Sequence, residues 1–208
     1  VSYTNTGTVY GTLLNFRAEV AALAPQMNEA PYKAPPKAPI LYVKTANTWS
    51  PHGAGIPVPA NVPQVEVGAT IGMVMRAAGE VGGYVLFNDL SIPHASFYRP
   101  PVKFKNLDGF LGVGATLVPA AKAGDAAGFT LEVRINNELV QSVDFSQMVR
   151  SAPQLLADVS SFMTLHEGDV LMLGCDAGRP LAKVGDRIDI SAPGFGLLSN
   201  TLVAEAAA

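Results

Sequence analysis

Asp89 has the most suggestive setting of any acid in this chain. It closes the apolar run Tyr84-Val85-Leu86-Phe87 within GYVLFNDLS (83–91), so one carboxylate stands at the end of a strand that reads as buried. The plain reading of Asn88-Asp89 is a polar strand end whose side chains satisfy a turn. The sharper one is a carboxylate ligand, or an acid–base group, at a pocket mouth. Two cations follow: Arg99 in SFYRPP and Lys105 in FKNLDGF. Each is a candidate for holding an anionic substrate, against the ordinary roles of a solvated loop charge and a surface lysine. Asp89 and Lys105 could act together if the fold brings them into contact.

Other chemistries lack their residues. His52, His94 and His166 are far apart in sequence and form no metal-ligand spacing. Gly-x-Ser-x-Gly and a P-loop are absent, and GEVGG (79–83) and GVGATL (112–117) fall short of a dinucleotide fingerprint. Cys175 follows Leu171, Met172 and Leu173 and reads as a buried small hydrophobe rather than a nucleophile. As the only cysteine it excludes an internal disulfide.

The 208 residues suit one domain, spanning 1–208 with a short N-terminal subregion over 1–62. Hydrophobic content of 49% supplies a core, and charged content of 15% leaves a weakly charged surface that favours a homo- or hetero-oligomer. Net charge is −3 and no Lys/Arg run occurs, which argues against nucleic acid and anionic membranes as partners. No apolar run has the length of a bilayer span. VSYTNTGTVYG lacks a basic region followed by an apolar core, so the expected compartment is the cytoplasm.

The elements that must position these side chains are short. Twenty glycines and 16 prolines are spread along the chain, which favours a mainly β fold with few short helices. Strands are expected over 7–15, Ile40–Lys44, Glu66–Met75 and Gly83–Asp89, with a helix over 16–24 and a loop over 45–63. GFTLEVRINNELVQSVDF (128–145) reads as a hairpin turning at Asn136-Asn137, which tolerate positive φ. Ala152–Thr164 is the best helix: Ser151 caps it, Pro153 suits its first turn, and Gln154 has capping-box spacing. Leu155, Leu156, Val159, Phe162 and Met163 form its apolar face. EGDVLMLG (167–174) and VGDRIDIS (184–191) each turn the chain into a strand.

Taken in order, GYVLFNDLS (83–91), KNLDGF (105–110), LHEGDVLMLG (165–174), VGDRIDI (184–190) and GFGLLSN (194–200) resemble the fumarylacetoacetate hydrolase superfamily over roughly Gly7 to Val203. PYKAPPKAPILYVKTANTW (31–49) and SFYRPPVKFKNLDGF (96–110) are similar to its isomerase/decarboxylase branch of 4-hydroxyphenylacetate degradation, in particular to an N-terminal half or small subunit. The resemblance implies a mixed β-sandwich or roll. It also implies an unsaturated 2-oxo polyacid as substrate and a homologous, metal-bearing half or subunit as partner.

Active members of this family hold Mg²⁺ or Mn²⁺ through Glu-x-Glu on one strand plus the Asp of Asn-Asp. A hard dication prefers oxygen ligands, and residues i and i+2 of a strand share a face. Asp89 matches that Asp, but QVEVGATIGMVM (64–75) places Gly68 and Thr70 where the two glutamates belong. Glu66 lies one strand repeat away and reads as a solvated strand-end charge. Thr-Gly-Thr-Pro is replaced by Leu173-Gly174-Cys175-Asp176, and an Arg-Asp pair by Ile92-Pro93. Asn15-Phe16 matches Asn-Tyr, but no histidine follows to act as a lid base, and Glu19 remains. The expectation is a subunit with a degenerate metal site and weak or absent metal binding. Its catalytic residues would be Asp89 and Lys105, with Arg99 and Lys105 holding substrate; the alternative is a non-catalytic scaffold or regulatory subunit of that enzyme.

Overall fold

A computed structural model of the chain describes residues 1–94, 96, 98 and 101–206; Arg99, the proposed substrate cation, lies outside the described residues. In chain order the elements begin with β1 (Val9–Leu13), α1 (Arg17–Leu23), β2 (Ile40–Lys44), β3 (Trp49–Pro51), β4 (Gly55–Val58) and β5 (Val65–Glu66). They continue with β6 (Ala69–Ala77), β7 (Glu80–Asp89), α2 (Val102–Lys105), β8 (Leu111–Val113), β9 (Val118–Pro119) and α3 (Ala120–Ala123). The C-terminal part adds β10 (Thr130–Ile135), β11 (Glu138–Asp144), α4 (Ala152–Ser160), β12 (Val170–Met172), β13 (Leu181–Ala182), β14 (Arg187–Ala192) and β15 (Gly196–Ala204).

The larger sheet runs β2-β1-β12-β6-β7-β8-β3, with β9 added beside β7. The second runs β11-β10-β14-β15-β4, and β5 pairs with β13. Parallel pairs (β1–β12, β3–β8, β4–β15) sit among antiparallel ones, giving the mainly β fold expected from the residues and the mixed roll implied by the resemblance. β7 is buried on both faces. Leu86 joins Ile71, Val133, Ile190 and Leu198 in a core shared by the two sheets, while Val85 and Phe87 join Leu111, Val170 and Met172 on the other side. A strand covered twice has no polar alternation, which is why 84–87 reads as one apolar run.

The hairpin turns at Asn136 and Asn137, with φ of 51° and 71°. Three expectations need correction. The segment 45–63 is not all loop: it holds β3 and β4, whose partners β8 and β15 are distant in sequence, so no local pattern announces them. The strand expected over Glu66–Met75 is interrupted: β5 leaves to pair with β13, and β6 begins only at Ala69. α4 ends at Ser160, and Phe162, assigned to its apolar face, is 64% exposed. Ser151 does cap it, accepting from the Gln154 amide at 3.4 Å, but the Gln154 side chain bonds Asp158 instead of closing a capping box.

Candidate functional site

The end of β7 delivers Asp89 into a buried ionic cluster. β2 contributes Tyr42 and Lys44, two residues apart and therefore on one face of the strand. α2 contributes Lys105 from its last position. Lys105 Nζ donates to Asp89 Oδ2 at 2.8 Å, and the Tyr42 hydroxyl donates to the same oxygen. Lys44 Nζ stands 3.0 Å from Oδ1. Asp89 and Lys44 are each 1% exposed and Lys105 2%. The Lys105 ammonium also lies 4.7 Å from the Tyr42 ring centroid, a cation–π distance.

Lys44 has a further role. Its ammonium donates to the carbonyls of Leu90 (3.2 Å), Phe110 (2.8 Å) and Lys105, which accounts for its three donors. Its contact with Oδ1 is thus an ion pair without a directed hydrogen bond, and Oδ1 has no hydrogen-bond donor among the described residues. Lys44 thereby ties the end of β7, α2 and the turn before β8 to β2.

Charges here follow burial first and partners second. Burial pushes the Asp89 carboxyl up, but Lys105, Lys44 and the Tyr42 hydrogen bond together outweigh it, leaving the group well below the usual carboxylate range. Burial pulls Lys44 down to about 8, with Asp89 opposing and the like charge of Lys105 assisting. Tyr42 is raised well above its ordinary value by burial and by Asp89.

Beside this cluster the chain forms a cleft of about 270 Å³, lined in part by Glu19, Glu66, His94, Gly178 and Arg179. The Arg179 guanidinium pairs with Glu19 of α1 and lies 3.7 Å from Glu66. Glu19 also accepts from the Leu14 amide at 2.7 Å, and burial raises its carboxyl above the ordinary value. Cys175 is 4% exposed, and burial pushes its thiol up to about 12, as befits an inert cysteine. Its surroundings are nevertheless ionic: Arg179, Asp89, Lys105 and Glu19 all act on it. Asp89 and Lys105 do not line the cleft. Tyr42 lines a second depression, a groove of about 410 Å³.

The structure therefore brings Asp89 and Lys105 together, as the sequence reading required. Three residues were not foreseen: Lys44, Tyr42 and Arg179. Alternation in ILYVK was the available signal for the first two, since Tyr42 and Lys44 share a face. Arg179, in GCDAGRPLA, follows a glycine in an irregular stretch that carries no pattern. Glu66 is also corrected: it is half-buried and faces Arg179 rather than standing free as a solvated strand end.

A hard dication needs several free oxygen ligands. Asp89 is matched by two ammonium groups, and the Thr70 hydroxyl is committed to the Gly174 carbonyl at 2.5 Å. A Cβ at Gly68 would sit 2.3 Å from the Asp89 carbonyl oxygen and 3.1 Å from Cys175 Sγ. Position 68 has no room for a glutamate on this backbone. These residues do not fit an oxygen cage for Mg²⁺ or Mn²⁺.

A mainly β mixed roll with a buried carboxylate–lysine cluster beside an arginine-lined cleft defines the class. The chain belongs to the fumarylacetoacetate hydrolase family, whose C-terminal domain matches residues 8–203. It is 34% identical over 209 residues to the 4-hydroxyphenylacetate degradation bifunctional isomerase/decarboxylase of Escherichia coli, covering 96% of this chain and 48% of that protein. The chain thus spans about half the length of that relative. It is 30% identical over 184 residues to a mitochondrial oxaloacetate tautomerase of Homo sapiens, covering 80% of this chain and 81% of that one. Among solved structures, the fumarylpyruvate hydrolase of Pseudomonas aeruginosa in complex with Mn²⁺ and pyruvate superposes with a TM-score of 0.80 at 20% identity, over 96% of this chain and 91% of that one. That likeness establishes the fold alone. No helix among the described residues is long and apolar enough to cross a membrane.

Proposed function

We propose that this chain, a single fumarylacetoacetate hydrolase-like unit over 1–208, is a cytoplasmic subunit of an isomerase/decarboxylase in 4-hydroxyphenylacetate catabolism. Its substrates are 5-oxopent-3-ene-1,2,5-tricarboxylate and 2-hydroxyhepta-2,4-diene-1,7-dioate. It works with a homologous metal-bearing half or subunit, and its own degenerate site binds metal weakly or not at all. The observation that carries the reading is the Asp89 carboxylate held between Lys44 and Lys105, with Tyr42 on the same oxygen.

The division of labour follows from the charges. A carboxyl held this low is a weak base, so Asp89 orients the two lysines rather than moving the proton. Lys44, at about 8, is the group poised to exchange a proton near neutral pH. Lys105 supplies an ammonium to the developing enolate oxygen, whether a proton or CO₂ leaves the carbon next to it. Arg99 and Lys105 remain the candidates for the substrate's carboxylates.

One observation favours a second reading. Asp89 and Lys105 are buried and do not line the cleft, and Asp89 is already matched by two ammonium groups, which suits a scaffold that supports a catalytic partner. Turnover decides between them. The purified chain is assayed alone and mixed with its homologous partner, with and without Lys105→Ala. Activity of the mixture that falls at least tenfold in Lys105→Ala is expected. Unchanged activity in that variant establishes the scaffold, and no turnover in either setting sinks both substrates as candidates.

A further inference from the structure

We propose that Arg179 holds one carboxylate of a small dicarboxylate ligand in the cleft, accepting it in exchange for Glu19. This deepens the reading above and rests on it for the identity of the natural substrate. Arg179 lines the 270 Å³ cleft, and its partners are Glu19 and a loose 3.7 Å contact with Glu66. Its Nε is buried without a hydrogen-bond partner among the described residues. A guanidinium offers five donors in a planar fork that matches a carboxylate edge-on, so this one is under-used where it stands. A ligand carboxylate supplies the second acceptor that the protein does not.

Charge balance selects an anion of this kind. Arg179 faces two carboxylates, Glu19 and Glu66, so a ligand carboxylate that replaces Glu19 on the guanidinium conserves local charge when the displaced Glu19, whose carboxyl burial raises, takes up a proton. The adjoining cluster has the opposite surplus, two ammonium groups for one carboxylate. A dianion therefore pairs one carboxylate with Arg179, while the cluster, which does not line the cleft, acts on the second only through its net positive charge; a monoanion has only the first. Glu19 can yield its place. It sits on a seven-residue helix with no side-chain cap, and its other oxygen keeps the Leu14 amide.

The test uses fumarate, a planar dicarboxylate, with acetate as the monoanion, in calorimetry on the whole chain in EDTA. Fumarate should bind the wild type and outcompete acetate. Arg179→Gln should weaken fumarate binding by about tenfold or more, the scale of one charge-assisted pair. Glu19→Gln should tighten it, because the internal competitor has lost its charge. Thermal midpoints establish that each variant is folded, and if Arg179→Gln is not, the sign of the Glu19→Gln effect decides. The proposal is overturned if Arg179→Gln binds fumarate like the wild type, if Glu19→Gln weakens binding, or if the wild type binds only once Mn²⁺ is added. Its failure is separable from that of the catalytic reading. Fumarate binding through Arg179 without turnover of any unsaturated 2-oxo acid sinks catalysis alone. Turnover with unchanged KM in Arg179→Gln sinks the role of Arg179 alone.

Discussion

Two ionic groups lie side by side in this chain and are built on different principles. Around Asp89, Lys44 and Lys105, each member is at most 2% exposed, and three backbone carbonyls absorb the ammonium donors of Lys44. Around Arg179, the cations and anions border a cleft, one pair is loose, and a donor is left over. Burial makes the first group all-or-nothing, because removing any charge strands another in low dielectric. The cleft at its edge makes the second exchangeable: Glu19 is itself buried, but Glu66 is partly exposed, and a solvent molecule or a ligand can take a vacated place beside Arg179. A site needs both: a fixed charge pattern, and a partner that can be swapped.

The sharpest way to break that comparison is Asp89→Ala. It leaves two buried ammonium groups without their counter-charge, and removing one member of a buried pair costs about 3–5 kcal/mol. Denaturant unfolding measures it, and a loss below about 1 kcal/mol would mean that the cluster is hydrated and no different from the cleft. Acid acts in the same direction. The Asp89 carboxyl titrates below that of an unfolded aspartate, so its contribution is present above the unfolded value and is lost as pH falls through the folded one.

Lys44 gives the next largest effect, with the same sense in pH but in the alkaline range. Unfolded, its amine has the ordinary value of 10.5; folded, it sits at about 8. Between those values the unfolded chain binds the extra proton, so raising the pH favours the folded state. The stability difference between wild type and Lys44→Met should therefore rise from pH 8 to 10.5, by about 3 kcal/mol at most. A flat difference would show that Lys44 is not held charged against burial.

What the sequence disclosed about these two groups differs for a physical reason. Asp89 and Lys105 were legible because each borders a patterned segment: Asp89 follows the apolar run 84–87, and Lys105 precedes the turn at NLDGF. Ile40–Lys44 was legible as a strand, bounded by prolines, but Lys44 at its end resembles any terminal lysine until β1 and the carbonyls of Leu90, Lys105 and Phe110 close around it. Arg179 belongs to an irregular stretch where no periodicity constrains a side chain. The hairpin at Asn136-Asn137 and the cap at Ser151 are local and were readable. β3 and β4 depend on parallel partners far along the chain and were not. The interruption between β5 and β6 is of the same kind, since it is fixed by β13 and by the approach of Asp89 to Gly68.

Gly68 tests how tightly the buried group is built. Its carbonyl accepts from the Asp89 amide at 2.8 Å, and any Cβ there meets the Asp89 carbonyl oxygen at 2.3 Å. Backbone cannot yield as a side-chain tip can, so Gly68→Ala should cost about 1–3 kcal/mol, the usual range for overpacking. Gly68→Glu combined with Thr70→Glu should then fail to create a tight Mn²⁺ site, as read by calorimetry. A folded double variant with one tightly bound ion per chain would show that this backbone adapts.

The smallest effect discriminates most finely. Arg179→Gln removes a cation from the cleft, yet Glu19 keeps the Leu14 amide, and its carboxyl, already raised by burial, can take up a proton instead of standing as a bare charge. The stability loss should be on the order of 1 kcal/mol, that of one ordinary hydrogen bond. Arg76→Ala, which breaks the exposed pair with Glu80, sets the floor at about 0.5 kcal/mol or less. An Arg179 variant near that floor that has lost fumarate binding is what an exchangeable partner demands. One as damaged as Asp89→Ala would merge the two groups into a single buried network, and the cleft would then be a seam in the core.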